Sequence, residues 1–158
     1  MNGIELGKTL LVDNLLSIRR KMNPKDLEST IKEMHHYCDT QQIKKTGSLI
    51  TVTHGVELKG SEQLMDIELM IPVMAEEVIS TMYYMKPRLQ ISNALYIRYE
   101  GKPTGMRDTF IKIQDFIKAS DLSQITNAYS VNHTEISGRG MNQSIVTDIY
   151  IGINPCIM

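Results

Sequence analysis

The chain has 158 residues, of which 42% are hydrophobic, and its formal net charge at neutral pH is −1. This length and apolar content suffice for one globular domain with a core and exclude a disordered chain. A near-neutral charge without a long basic run offers nucleic acid or an anionic membrane no evident binding surface. No apolar run approaches the roughly 20 residues of a membrane span, and no signal-peptide pattern is visible. We therefore expect a cytoplasmic protein that binds neither nucleic acid nor membrane.

Two strand–helix pairs are predicted from the sequence. A strand is expected over residues 8–20, bent near residues 13–14, and a second over residues 88–100. Each is followed by a proline-containing link, which is common where a helix begins. Helices are expected over Pro24–Thr40 and residues 105–119, because apolar residues recur there at spacings of three and four. These residues are Leu27, Ile31, Met34 and Cys38, and then Met106, Phe110, Ile113 and Ile117.

A hairpin is predicted after each helix. Its second strand covers residues 63–73 in the first half and residues 143–153 in the second. Aliphatic residues alternate with others in both strands, and a period of two places them on one face of a sheet. The opposite face carries an acid in mid-strand, which is Glu68 in one case and Asp148 in the other. The aliphatic face is the natural partner of the amphipathic helices.

The two halves of the chain are similar to each other. At an offset of 79, residues 14–56 lie over residues 93–135 without a gap, and eight of these 43 positions are identical. Beyond the turn of the hairpin the offset becomes 80, which pairs Glu68 with Asp148. Turns tolerate such single-residue insertions. We interpret the pattern as an internal duplication.

Each half is therefore a β-α-β-β unit, and the fold class is predicted to be α+β. We expect a single domain of two repeats, over about residues 8–73 and 87–153, joined by a linker at about residues 74–86. The two units would form one mainly antiparallel sheet, with two helices on one face and an open groove on the other.

Strand parity identifies the residues of that second face. A mostly apolar concavity with a few polar groups suits a small-molecule site. Alternatively, the same residues form a solvated sheet face, on which Arg19 pairs with Glu68 and Arg98 pairs with Asp148. The residues of this face are Leu15, Ser17, Arg19, Glu68, Met70, Ala94, Tyr96, Arg98, Asp148 and Tyr150.

A duplicated β-α-β-β unit, a strand ending YIRYEGKP and an acidic strand VTDIYIGI resemble the gyrase-inhibitor-like (GyrI-like) effector-binding domains. The resemblance covers essentially the whole chain and implies an acid on the late strand that faces cationic or aromatic ligands. Asp148 matches that acid and Tyr150 matches the aromatic residue that follows it. The chain departs from the family pattern in having Asp148 for the usual glutamate and Gly152 for the usual proline. Glu68 and Pro72 keep both features in the first half.

The resemblance implies a free-standing effector-binding domain whose groove accepts a small, partly apolar molecule, with a cation as one option. The acids would supply charge and the tyrosines aromatic walls. The two arginines fit an anion equally well, so the sequence leaves the charge of the ligand open. The expected ligand-binding residues are Glu68, Asp148, Tyr96, Tyr150, Arg19, Arg98 and Met70.

Other functions are weighed against this one. His54 and His133 occupy equivalent places in the repeat but do not form a metal-ligand pattern, so we expect neither metal nor cofactor. No nucleophile motif is present, and we expect no catalytic residue. A protein-interaction module that binds a partner polypeptide is the alternative. A third possibility is hydrolysis of an electrophilic small molecule, with Asp148 as base and Tyr96 or Tyr150 holding water.

Overall fold

The computed structural model describes residues 3–75, 80–134 and 144–154. The α+β class, with helices on a mainly antiparallel sheet, is confirmed for these residues. A short 3-10 turn, Pro103–Gly105, precedes the second helix. The elements in chain order are β1 (Glu5–Met22), α1 (Pro24–Thr40), β2 (Lys44–Lys45), β3 (Leu49–Lys59), β4 (Glu62–Met74), β5 (Tyr84–Gly101), α2 (Met106–Ala119), β6 (Ser123–Asn132) and β7 (Ile145–Asn154).

The chain divides into two compact units. We call Val12–Leu89 the β4 unit, and Met1–Leu11 together with Gln90–Met158 the β7 unit. In the β4 unit, β4 pairs with β1, with β3 and, near its end, with β2. In the β7 unit, β7 pairs with β5 and with β6. Each unit is thus built around the strand that carries the predicted acid.

One helix covers the aliphatic face of the strands in each unit, as the period of two predicts. Helix α1 begins at Pro24 because the side chain of Asn23 accepts a hydrogen bond from the Asp26 amide at 2.8 Å. The β4 unit buries Leu16, Ile18, Ile67, Leu69 and Ile71 against Ile31, Met34 and Cys38 of α1. The β7 unit buries Leu95, Ile97, Ile149, Ile151 and Ile153 against Ile113 and Ile117 of α2.

Both helices end in the same motif. The second residue after each helix has a positive φ, 57° at Gln42 and 56° at Asp121. The amide that follows donates back across the last turn, which satisfies a carbonyl at the helix end. These bonds run from Ile43 N to Cys38 O (2.8 Å) and from Leu122 N to Ile117 O (3.1 Å).

An asparagine holds equivalent strands together in the two units. The bend predicted near residues 13–14 coincides with a φ of 61° at Asn14, a conformation that asparagine tolerates. The Asn14 side chain donates to the carbonyls of Val73 and Ala75, both at 2.8 Å. Asn93 donates in the same way to the carbonyl of Ile153 at 3.2 Å. Asn14 and Asn93, which the offset of 79 pairs in the sequence, therefore have the same structural role.

Gly152 lies in close contact with a residue of the neighbouring strand. A Cβ at Gly152 would lie 2.8 Å from the Thr126 methyl group, and the Gly152 amide donates to the Thr126 hydroxyl at 2.8 Å. In the β4 unit the larger residue is on the other strand. The Pro72 ring lies against Gly47, and a Cβ added at Gly47 would lie 3.1 Å from that ring. Offsets of 79 and 80 relate Gly47 to Thr126 and Pro72 to Gly152.

The segment between the halves differs in extent from the predicted linker. Strand β4 continues to Met74 and β5 begins at Tyr84, so residues 84–86 are strand. Residues 76–79 of the predicted linker lie outside the described residues, and so do residues 135–143 of the second predicted hairpin, which include its turn and the first residue of its second strand. Within the described ranges, neither helix combines the length and the hydropathy that a membrane crossing requires.

Candidate functional site

Glu68 and Asp148 occupy equivalent positions in the registers of their units. Their strand neighbours Ile67, Leu69 and Ile149 lie in the helix-covered cores, so both carboxylates point away from the helices. This is the orientation that the sequence predicts. The register partners are Arg19 and Val52 for Glu68, and Arg98 and Val131 for Asp148.

Asp148 accepts hydrogen bonds from three side chains of the β7 unit. Arg98 forms a fork, with Nε at 2.8 Å from Oδ1 and Nη2 at 3.0 Å from Oδ2. The Tyr96 hydroxyl donates to Oδ1 at 2.7 Å, and His133 Nε2 lies 2.6 Å from Oδ2. The Asp148 side chain is only 9% exposed, whereas that of Arg98 is 50% exposed. The carboxylate is therefore buried behind a guanidinium that faces solvent.

These contacts keep Asp148 ionised. Burial acts to raise its pKa, but the hydrogen bonds from Arg98, Tyr96 and His133 outweigh burial and hold the pKa well below its usual range. An ionised carboxylate only accepts hydrogen bonds, so His133 Nε2 must carry a hydrogen. Burial and the bond to Asp148 together raise the pKa of Tyr96 to about 12. The Tyr96 hydroxyl thus remains a donor at neutral pH.

An aromatic pair adjoins Asp148. The rings of Tyr96 and Tyr150 are 5.0 Å apart between centroids and inclined by 46°. This spacing is typical of a favourable tilted pair. Burial raises the pKa of Tyr150, and the charge of Asp148 raises it further. Two neutral aromatic rings and one ionised carboxylate therefore meet within the β7 unit.

Glu68 is held by a second set of side chains in the β4 unit. Its Oε2 accepts from the Tyr84 hydroxyl at 2.6 Å and from Lys86 Nζ at 2.9 Å, and its Oε1 lies 3.1 Å from His54 Nε2. Burial acts to raise the pKa of Glu68, but the bonds from Lys86, Tyr84 and His54 leave it lowered. A tyrosine, a histidine and a cation thus contact each acid. The tyrosine and the cation come from β5 in both cases, but Tyr84 and Lys86 lie at its start, whereas Tyr96 and Arg98 lie further along it.

Arg19 does not pair with Glu68, contrary to the solvated-face alternative. Its guanidinium forms a fork with Asp66, with Nε at 3.0 Å from Oδ1 and Nη2 at 2.9 Å from Oδ2. Hydrogen bonding to Asp66 raises the pKa of Arg19 and lowers that of Asp66. Arg19 is the register partner of Glu68 but binds Asp66, because Tyr84 and Lys86 already contact the Glu68 carboxylate. Strand register therefore does not by itself predict which acid the arginine binds.

Several residues of the predicted face are buried rather than exposed. Leu15, Ser17, Met70 and Ala94 have no exposed surface. Ser17 is polar, and its hydroxyl finds no hydrogen-bond partner among the described residues. A buried hydroxyl without a partner costs about 1–3 kcal/mol. The prediction that one groove includes all the expected ligand-binding residues stays a prediction.

Four side chains that contact the acids were missed as site residues. His54 and His133 have equivalent positions in the repeat, and this was the signal that could have assigned them to the acids. Tyr84 and Lys86 fell within the predicted linker, where no periodicity indicated a strand. Among the described residues, no group of three histidine, cysteine or acidic side chains is arranged to hold a metal ion.

Comparison with known proteins identifies the fold. No family model and no curated protein matches the sequence. The chain is similar to EcmrR in an EcmrR–DNA complex, with a TM-score of 0.76 and 13% identity, covering 97% of this chain and 58% of that one. It is also similar to the EcmrR C-terminal domain, with a TM-score of 0.66 and 12% identity, covering 96% and 98% of the two chains. A hydrolase from Listeria innocua has a TM-score of 0.58 at 9% identity and covers 93% and 91%.

At these identities the similarity concerns the fold alone. The chain spans 58% of the EcmrR chain in the DNA complex and nearly the full length of the EcmrR C-terminal domain.

Proposed function

We propose that this protein is an effector-binding domain of the GyrI-like type that binds a small, partly apolar cation in the β7 unit. The observation that carries the proposal is a buried, ionised Asp148 beside the Tyr96–Tyr150 aromatic pair. A cation against a tyrosine face is stabilised by about 0.5–2 kcal/mol, and a carboxylate adds charge. Such a combination suits an organic cation better than a neutral or anionic molecule.

Arg98 closes the site in the free protein and yields to the ligand. Its guanidinium lies over Asp148 but is half exposed, so solvent and salt screen the pair. A ligand cation replaces the guanidinium at the carboxylate, while the hydroxyl of Tyr96 and the imidazole of His133 stay in place. Arg98 therefore tunes affinity for cations by competing with them.

The fold supports this reading, because the EcmrR C-terminal domain has the same architecture at nearly the same length. The equivalent registers of Glu68 and Asp148, and the equivalent bonds of Asn14 and Asn93, support descent of both halves from one β-α-β-β unit. We therefore include an internal duplication in the proposal.

The pKa directions disfavour the hydrolytic alternative. An effective general base has a pKa near the working pH, and the pKa of Asp148 is shifted away from neutrality. The Tyr96 hydroxyl donates its hydrogen to Asp148 Oδ1 at 2.7 Å, so that hydrogen is already engaged and does not hold a water molecule. Binding without catalysis is the function that this geometry supports best.

A thermal-shift screen with three aromatic probes tests the proposal. Benzyltrimethylammonium, benzyl alcohol and benzoate have similar rings but carry positive, zero and negative charge. We expect benzyltrimethylammonium to raise the melting temperature of the wild type, and its effect to be lost in Asp148→Asn. No stabilisation by any of the three would contradict small-molecule binding. Stabilisation by benzoate alone would assign the site to anions held by Arg98.

A further inference from the structure

The two acids are held by cations of different kinds. Arg98 contacts both oxygens of Asp148 through a planar fork, whereas Lys86 contacts a single oxygen of Glu68. A guanidinium fork matches a carboxylate in shape, but an ammonium is a compact point charge on a flexible chain. The ammonium group of a ligand can therefore reproduce the single contact of Lys86 with Glu68, whereas it cannot reproduce both contacts of Arg98 with Asp148.

The Glu68 cluster is open to a ligand on the side of its donors. Glu68 itself is 5% exposed, but Lys86 is 26% exposed and Tyr84 44% exposed. A small amine arriving from solvent meets Lys86 Nζ first and can take its place on Oε2. The remaining bonds, from Tyr84 to Oε2 and from His54 to Oε1, hold the carboxylate in position during the exchange.

The second observation is the unpartnered hydroxyl of Ser17. Ser17 and Glu68 lie on the same face of paired strands, because the register partners are Ser17 with Met70 and Arg19 with Glu68. Residues in this diagonal relation have Cβ atoms about 7 Å apart. Lys86 contacts Glu68, and among the described residues the Ser17 hydroxyl has no hydrogen-bond partner. The Ser17 hydroxyl and the Glu68 carboxylate can thus accept hydrogen bonds from two donor groups of a single small molecule.

We propose that Glu68 and Ser17 form a second ligand site, within the β4 unit, which binds a primary ammonium compound carrying a hydroxyl group a few bonds away. Lys86 occupies the ammonium position in the free protein. The ammonium of the ligand displaces Lys86 from Glu68, and its hydroxyl donates to Ser17 Oγ. The class of ligand is thus a small amino alcohol.

Two probes with the same number of heavy atoms test the site. 3-Amino-1-propanol has both donors, whereas 1-aminobutane has a methyl group in place of the hydroxyl. By calorimetric titration, we expect the wild type to bind 3-amino-1-propanol roughly fivefold more tightly than 1-aminobutane, as one hydrogen bond predicts. Equal affinity for the two probes, or no binding of either, would overturn the proposal.

Substitutions separate the roles of the three residues. In Lys86→Gln the internal competitor is gone, so we expect about tenfold tighter binding of both amines. Ser17→Ala should remove the preference for 3-amino-1-propanol while the free protein melts at the same or a higher temperature, since an unpartnered hydroxyl is deleted. Glu68→Gln should abolish binding of both amines, and Glu33→Gln, on the exposed face of α1, serves as the matched control.

The outcomes distinguish this site from the one at Asp148. Loss of amine binding in Asp148→Asn, or unchanged affinity in Lys86→Gln, would contradict a separate site at Glu68. Benzyltrimethylammonium binding that requires Asp148 tests the other site independently, so either proposal can fail alone.

Discussion

At the scale of single residues, the donors around each carboxylate decide its charge. Burial alone would favour the neutral form of Asp148, yet three hydrogen-bonding side chains reverse the balance. Period-two parity predicted the orientation of Glu68 and Asp148. It could not predict which donors reach them, because those donors come from other strands through contacts that local periodicity does not encode.

The lowered pKa of Asp148 makes its contribution to stability depend on pH. A carboxyl group with a lowered folded-state pKa stabilises the protein above its ordinary value of 3.8, and this stabilisation is lost as the pH falls through the folded-state pKa. We expect Asp148→Asn to lower the free energy of unfolding by about 2 kcal/mol at pH 7. The difference from the wild type should shrink below about pH 4.

Urea unfolding between pH 7 and pH 2 measures this difference. Asp115→Asn, an exposed aspartate on α2, is the control and should behave like the wild type throughout. A difference between the wild type and Asp148→Asn that stays constant down to pH 2 would show that the ionised form is not what stabilises the fold.

At the scale of elements, the helices were predicted well and their ends show why. Both begin near proline and carry apolar residues at helical spacing, signals that lie within a few residues of one another. Their C-terminal motif was not predicted, because Gln42 and Asp121 are not the glycine that usually marks it. Pairing of β2 with β4 was missed as well, since two residues show no periodicity.

Gln42 is in a left-handed conformation that glycine adopts without strain. We expect Gln42→Gly to raise the free energy of unfolding by about 1 kcal/mol, because relief of the Cβ clash exceeds the added entropy of the unfolded chain. Asp121→Gly should give a smaller gain, since aspartate tolerates this conformation better than glutamine. Thermal or urea unfolding measures both. Destabilisation by both substitutions would contradict the role assigned to the positive φ.

Gly152 lies against Thr126, whereas the matching positions of the β4 unit hold Pro72 against Gly47. The effects of substituting Gly152 and Thr126 on stability should therefore depend on each other. Gly152→Pro should destabilise the β7 unit by about 3 kcal/mol or more, because the ring collides with Thr126 and the amide donor is lost. Adding Thr126→Gly copies the Gly47–Pro72 arrangement and should recover part of that loss. A double-mutant cycle of unfolding free energies checks this, and strictly additive effects would refute compensation between the two positions.

At the scale of the whole molecule, each unit places one carboxylate opposite its helix and surrounds it with tyrosine, histidine and a cation. The sequence predicted the matching acids and the order of strands and helices in each half, because strand and helix periods repeat in the same order. It did not predict that the two clusters recruit donors from different parts of β5. In the β7 unit these are Tyr96 and Arg98, and in the β4 unit Tyr84 and Lys86.

Direct titration of benzyltrimethylammonium tests the central claim. Asp148→Asn should raise its dissociation constant about tenfold or more, through the loss of one charge contact. Tyr150→Leu keeps an apolar side chain but removes the ring, and should raise the constant about threefold or more. We predict no change in Asp115→Asn. Dissociation constants for Asp148→Asn and Tyr150→Leu equal to that of the wild type would contradict a cation site at Asp148.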